Sequence, residues 1–177
     1  FARAEAVRLN LPVYVCPVKF RENGVHDGKC NADSKQKGML AYADKNNDIG
    51  YQEDKVDISL RTVLLNPKDA DKVTYQFDHV KFGSKDTDSQ PVFFAFQPNG
   101  TFGYSVNKPS KKSDFTYSDG YIKISMTDSA ATTESTKKSR ASIVLVDSSG
   151  RVEICAKSDS RDLCKYAESK AESNKQP

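Results

Sequence analysis

The 177-residue chain has no tryptophan, two methionines and two histidines. No stretch approaches the ~18 consecutive apolar residues that cross a bilayer, so nothing in it reads as a membrane span. No basic segment followed by an apolar run opens the chain, and any targeting segment is read as removed. His26 lies in a polar loop and His79 in a strand pattern, and neither belongs to an HExxH motif. GxSxG and a glycine-rich phosphate loop are missing too. Carboxylates are many but fall in turns, without the pairing across an apolar pocket that acid–base chemistry needs. The expectation is a protein that is not an enzyme and carries no cofactor. An excess of one charge is also missing. Lys and Arg number 27 against 24 Asp and Glu, a net charge of +3, which is not the basic field of a dedicated nucleic-acid binder.

The composition is 37% hydrophobic, 29% charged and 10% aromatic, which suits one domain with a sizeable core. Four cysteines bracket two polar stretches, Cys16 with Cys30 and Cys155 with Cys164. They read as disulfides of an oxidising compartment. Four cysteines allow three connectivities, and the two local pairs are favoured because each closes a short excursion. Each bridge contributes about 2–3 kcal/mol by loop-closure entropy. Zinc needs C-x₂₋₄-C or nearby histidines, and neither pair offers that.

Strand signals fill the chain after Pro12. VYVCPV is β-branched and aromatic, and GMLAYAD (38–44) alternates weakly. VDISLRTVLL (56–65) offers Val56, Ile58, Leu60 and Val63 as inward candidates. KVTYQFDHVKF (72–82) alternates through Val73, Tyr75 and Phe77, then loses phase at His79–Val80, which predicts a bulge. PVFFAF (91–96) reads as a central strand. TFGYSV, GYIKISM, ASIVLVD and GRVEIC follow. Turn chemistry predicts two hairpins, one at Pro98-Asn99-Gly100 and one from Asp147 to Gly150. The absence of βαβ alternation predicts antiparallel pairing of about nine strands. The fold class is α+β, an N-terminal helix packed on antiparallel β-sheets. A globular head over 1–166 is expected, with a helix at about 1–10, a β-rich part at 11–156 and a disulfide-closed end at 155–164. Residues 167–177 are expected to form a flexible tail. Residues 127–142, without a large apolar side chain, read as a long exposed loop.

The opening ARAEAVRLN (2–10) puts Ala2, Ala6 and Leu9 at helical spacing, with Arg3, Glu5 and Arg8 on other positions. About ten residues do not hold a helix alone in water. Nothing caps its start. The helix is therefore expected to be the cut end of a longer one, with Ala2, Ala6 and Leu9 facing the sheet.

This opening, followed by a strand ending Val-x-x-Cys-Pro at 13–17, resembles the post-membrane segment of the GspH/FimT family of minor pilins and pseudopilins. The resemblance continues in order over about 155 residues. Gly38 leads through a short apolar strand to the turn Asp44-Lys-Asn-Asn-Asp, and a later strand carries Leu60-Arg61. FQPNGTF (96–102) and VLVDSSGRVEIC (144–155) are similar to the family's two hairpins. The tryptophan often found before the early glycine is absent, and the region 104–142 is longer than in short members. Mature pilins commonly begin with Phe and carry Glu at the fifth position, as do Phe1 and Glu5. Residues 2–10 are too polar for the membrane part of such a helix, so that correspondence is read as chance.

The resemblance implies a precursor cleaved by a prepilin peptidase and anchored in the inner membrane through an N-terminal segment absent from this chain. Its periplasmic head would later join an extracellular pilus. Implied partners are other minor pilins and the major pilin, met through the helix and head in a tip or priming complex of a type IV pilus. FimU-like membership is the first reading. A GspH-type pseudopilin of type II secretion is the second. A FimT-like DNA receptor is the third, since such members use Gly-Arg-x-Arg on the last hairpin. Here Gly150-Arg151-Val152-Glu153 replaces the second arginine with a carboxylate. Lys111, Lys112, Lys137, Lys138 and Arg140 are the other candidate phosphate contacts, diluted by Asp114, Asp128 and Glu134. DKNNDIGYQEDK (44–55) brushes against a calcium loop. Asp44, Asn46 and Asp48 hold its first, third and fifth positions, but Ile49 and Lys55 stand where Gly and Glu belong. The same residues suit a tight turn.

Overall fold

The structure is a computed structural model that describes residues 1–52, 56–67, 71–84, 87–117 and 119–167. The chain opens with α1 (Ala2–Leu9), followed by β1 (Val13–Phe20), β2 (His26–Cys30) and β3 (Gly38–Ala43). Then come β4 (Ile58–Leu64), β5 (Val73–Lys81), β6 (Thr87–Ser89), β7 (Phe93–Phe96) and β8 (Phe102–Ser105). The order ends with β9 (Thr116–Tyr117), β10 (Gly120–Asp128), α2 (Glu134–Arg140), β11 (Ser142–Val146) and β12 (Val152–Ile154). The strands form two antiparallel sheets. Sheet 1 runs β4-β3-β1-β7-β8-β9, with β2 paired to the far half of β1. Sheet 2 runs β12-β11-β10-β5-β6.

Among the described residues there are twelve strands, against an expected count of about nine. The additions are β2, β6 and β9, whose sequences HDGKC, TDS and TY are short and carry no apolar alternation. They exist because a neighbouring strand offers a ladder. PVFFAF does form a central strand, since β7 lies between β1 and β8. The phase break at His79–Val80 coincides with a register shift there in the pairing of β5 with β6.

The central strands β1 and β7 of sheet 1 are buried on both faces, which is why VYVCPV and FFAF read as near-continuous apolar runs. Tyr14, Cys16, Leu40, Tyr42, Phe93 and Ala95 form a core on one face, closed by Ile49, Val92 and Phe115 from loops. Tyr14 stacks on Phe115 at 5.4 Å between ring centroids. On the other face the core divides. Val13, Ala41 and Ala43 lie under α1, while Phe94 and Phe102 meet Phe77, Ile122 and Val146 of sheet 2. The outer face of sheet 2 presents Ile143 and Leu145, which the C-terminal loop covers with Tyr166, Leu163 and the Cys155–Cys164 disulfide. The second disulfide joins Cys16 to Cys30 across the β1–β2 pair.

One end of the sandwich is closed by two amides. Asn66, buried, accepts from the backbone of Lys72 and Val73 and donates to the carbonyls of Gln36 and Val73. The Gln36 side chain imitates a strand, donating to the Tyr75 carbonyl and accepting from the Tyr75 N–H. These bonds tie the β3–β4 end of sheet 1 to the start of β5.

The segment 127–142 contains a helix where a loop was expected. The Thr133 hydroxyl accepts from the Thr136 N–H and the Thr133 N–H donates to the Thr136 hydroxyl, a capping box in which threonine replaces the usual glutamate. Glu134 then stands in the first turn and Lys137, Lys138 and Arg140 in the last, as the macrodipole favours. Ala131 and Ala141, both buried, pin the ends. The exposure of the segment was legible, but its helicity rests on capping chemistry and small anchors. The expected inward Val63 shares the face of Met39 by register yet is 45% exposed, because β4 is an edge strand. Lys55 and the tail beyond Ala167 lie outside the described residues.

Candidate assembly face

Helix α1 lies on β1, β3 and β7. Ala6 is fully buried against Val13, Ala41 and Ala43, with Ala2 and Leu9 half-buried beside it. The contact is made by small residues on both sides, so the helix backbone sits close to the sheet. Ile58 and Leu60 flank this bed from β4, helped by a register shift between Ala41 and Tyr42 that turns Leu60 toward it. The opposite face of the helix is open, with Val7 56% and Phe1 58% exposed. Glu5 and Arg8 pair at 2.6 Å along the helix, and this hydrogen bond holds the Glu5 carboxyl below its usual range.

Asn10 ends the helix in the left-handed region at φ 53°, its N–H bonded to the Val7 carbonyl. The sequence carries the signal for this end, since asparagine after the last periodic residue is a helix stop. Buried Pro12 then delivers the chain into β1, and its carbonyl accepts from the Asp44 N–H.

The sequence elements noted above converge on this helix. Arg61 sets its guanidinium over the Phe1 ring, 5.4 Å from the centroid. The β7–β8 turn brings Gly100 (φ 84°) beside the Arg3 side chain. The β11–β12 turn brings Gly150 (φ 75°) against both Phe96 and Arg3, so close that a Cβ there would lie 2.9 Å from the Phe96 ring. The turn after β3 sits at the other end, through Asp44 and Pro12. Four segments far apart in sequence thus meet the two ends of one helix. In the first hairpin only Gly100 takes positive φ, and Asn99 instead accepts from the Thr101 N–H.

The calcium candidates are turned onto their own backbone. Asp44, fully buried, accepts from the N–H groups of Asn47 and Ile49. Asp48 accepts from the Gly50 N–H and the Asn46 amide, while Asp57 accepts from the N–H groups of Lys45 and Gln52. Burial raises the Asp57 carboxyl above its ordinary value. Asn47 and Ile49 take positive φ to make this turn, a conformation that favours glycine, and the Ile49 side chain is instead held there by burial in the core of sheet 1. Among the described residues, the one cluster with metal-ligand spacing is Cys155, Asp159 and Cys164, and its two sulfurs are already joined to each other.

The candidate phosphate contacts are spread out. Lys137, Lys138 and Arg140 ride on α2, which packs on β10 of sheet 2, with Lys138 paired to Glu134 and Arg140 to Asp128. Lys111 and Lys112 belong to the turn before β9 of sheet 1, where Lys112 reaches Asn47. Arg151 is exposed on the β11–β12 turn. Glu153 is held by Arg161, which also binds Asp159; that hydrogen bond lowers the Glu153 carboxyl. Of the two histidines, His26 accepts from the Gly28 N–H and His79 is buried against the Tyr104 hydroxyl at 2.9 Å.

Among the described residues, no helix is long and apolar enough to cross a membrane. No family model and no curated protein matches the sequence. Two solved structures are similar in fold. The minor pseudopilin EpsH of the type 2 secretion system of Vibrio cholerae matches with a TM-score of 0.44 and 9% identity, covering 89% of this chain and 87% of that one. The type IV minor pilin FimU of Pseudomonas aeruginosa (strain PAO1) matches with a TM-score of 0.42 and 14% identity, covering 89% of this chain and 80% of that one. At these scores neither likeness decides a role.

Proposed function

We propose that the chain is the head of a minor pilin that takes part in type IV pilus assembly. On this reading it sits in a tip or priming complex with other minor pilins. The observation that carries the proposal is the helix α1, docked through Ala6 on a bed of alanines while Phe1 and Val7 face outward. A helix of eight residues does not hold its shape alone, yet two hairpin turns and the Phe1–Arg61 contact surround its first turn. Such a mounting suits a rod that must transmit load to the head. The exposed side of α1 is the surface for neighbouring helices. The head stands in the periplasm, anchored in the inner membrane by an apolar continuation of α1 upstream, and two disulfides suit that compartment.

DNA binding is not favoured. Arg151 lacks a neighbouring second cation on its strand, Glu153 occupies that place, and the α2 cations Lys138 and Arg140 are engaged with carboxylates. The test is co-elution of the purified head with other pilin heads at low salt, with a DNA mobility shift run in parallel. The expected result is co-elution without a shift. Retention of DNA that falls with salt and is lost in Arg151→Ala would overturn the proposal, and co-elution with type II secretion pseudopilin heads alone would move it to that machine.

A further inference from the structure

The inner face of sheet 2 is only half covered. By register Ile122, Val146 and Val152 stand side by side across β10, β11 and β12, as do Ile124, Val144 and Ile154. Sheet 1 packs on the β5–β10 side of this face through Phe94 and Phe102. Between the sheets an apolar groove of about 350 Å³ runs from Val63 and Tyr75 past Ile124 and Val144, and it ends at Val152 of β12 and Ala2 of α1. Val152 is 66% and Ile154 77% exposed. These are the most exposed large apolar side chains of the described residues. Among the described residues no strand pairs with the outer edge of β12, so on that side its backbone groups lack a strand partner. Edges of this kind are normally guarded by charge, proline or a bulge. Here two β-branched residues stand on one face, and the charge between them, Glu153, lies on the other face and is held by Arg161.

We infer that the β12 edge is a docking site for an extended segment of a partner protein, which adds to sheet 2 as a further strand. A strand is the occupant that satisfies both unpartnered features together. Its backbone pairs with the β12 edge, and its alternate apolar side chains fall beside Val152, at the end of the groove, and beside Ile154. A helix or an acyl chain would cover the groove and leave the edge unpaired. Charge adds a polarity to the segment. Among the described residues Arg151, exposed at the start of β12, makes no salt bridge; Asp147 and Glu153 lie close enough to feel its charge, but their oxygens are engaged by the turn and by Arg161. The partner segment therefore carries a carboxylate at its Arg151 end.

The inference rests on the reading of the chain as an assembly head, and it is tested on the isolated head. Random 12-residue peptides displayed on phage are selected against the wild-type head and counter-selected against Ile154→Lys. Both side chains concerned are largely in solvent, so the variant keeps the wild-type melting temperature. The expected result is enrichment of peptides with apolar residues at every second position and an acidic end, with at least tenfold loss of binding to Ile154→Lys and several-fold loss to Arg151→Ala. Amide hydrogen exchange of Val152–Ile154 slows in the presence of a selected peptide. Enrichment at helical spacing, binding indifferent to Ile154→Lys, or no enrichment overturns the inference. Because α1 takes no part in these readouts, their failure leaves co-elution with pilin heads to be judged separately.

Discussion

Replacing Ala6 with leucine tests the helix mounting most sharply. Ala6 has no exposed surface and faces Val13, Ala41 and Ala43, so three added carbons have no space to enter. Overpacking of a filled contact costs about 1–3 kcal/mol. The upper limit is set by the helix itself, because beyond that penalty it detaches. Detachment exposes the Ala6 methyl, half of Leu9 and the apolar bed, while the ordering of eight residues is regained. The loss therefore stays within the overpacking range of about 1–3 kcal/mol. For a domain of this length that is a fall of about 2–4 °C in melting temperature per kcal/mol. Ala4→Leu, on the exposed face of the same helix, is the control and changes stability by less than about 0.5 kcal/mol. The assay is urea unfolding with the disulfides intact. Equal midpoints for Ala6→Leu and Ala4→Leu would refute the docking of α1 on the alanine bed.

Gly150→Ala places a Cβ 2.9 Å from the Phe96 ring at a residue with φ 75°, so about 1–3 kcal/mol of stability is lost, measured by the same unfolding. Asn66→Ala removes four hydrogen bonds that join the sheets, and a loss of about 2–4 kcal/mol follows, with faster amide exchange at Val73. The Asp114 carboxyl accepts first from the Ser110 N–H and also from Lys111, which lowers its folded value below 3.8. Since the shift is downward, its stabilising contribution is complete above the unfolded value and is lost as pH falls through the folded one. A carbon-detected NMR titration should put the Asp114 midpoint below 3.8, and a midpoint above it would show that the turn is open in solution.

Strands with strong alternation or aromatic density were legible, among them β5, β7, β10 and β11. Both hairpins were read from their Pro-Asn-Gly and Asp-Ser-Ser-Gly turns. Three short strands were not legible, because HDGKC, TDS and TY have nothing to pair until their neighbours are in place. Helix α2 was missed for a related reason. Its stability comes from a threonine cap and two buried alanines, which leave no apolar period. Ala2, Ala6 and Leu9, which share a helical spacing, lie on the side of α1 that packs with Val13, Ala41 and Ala43. What spacing could not give is the convergence of Gly100, Gly150 and Arg61 on the first turn of that helix, because residues distant in sequence share no period. Exposure of Val152 and Ile154 was hidden for the opposite reason. A strand that alternates well is read as half-buried, and nothing in GRVEIC says that its cover is missing.

The central claim is that α1 joins this head to a fibre. Cells producing the natural full-length gene product, with Val7→Cys as a cross-linking site on the open helix face, give the most direct measurement. The protein is predicted to be found in the inner-membrane fraction and in sheared surface fibres, and to cross-link there to another pilin subunit through position 7. Recovery only in a soluble fraction, with no cross-linked partner in fibres, would contradict the account.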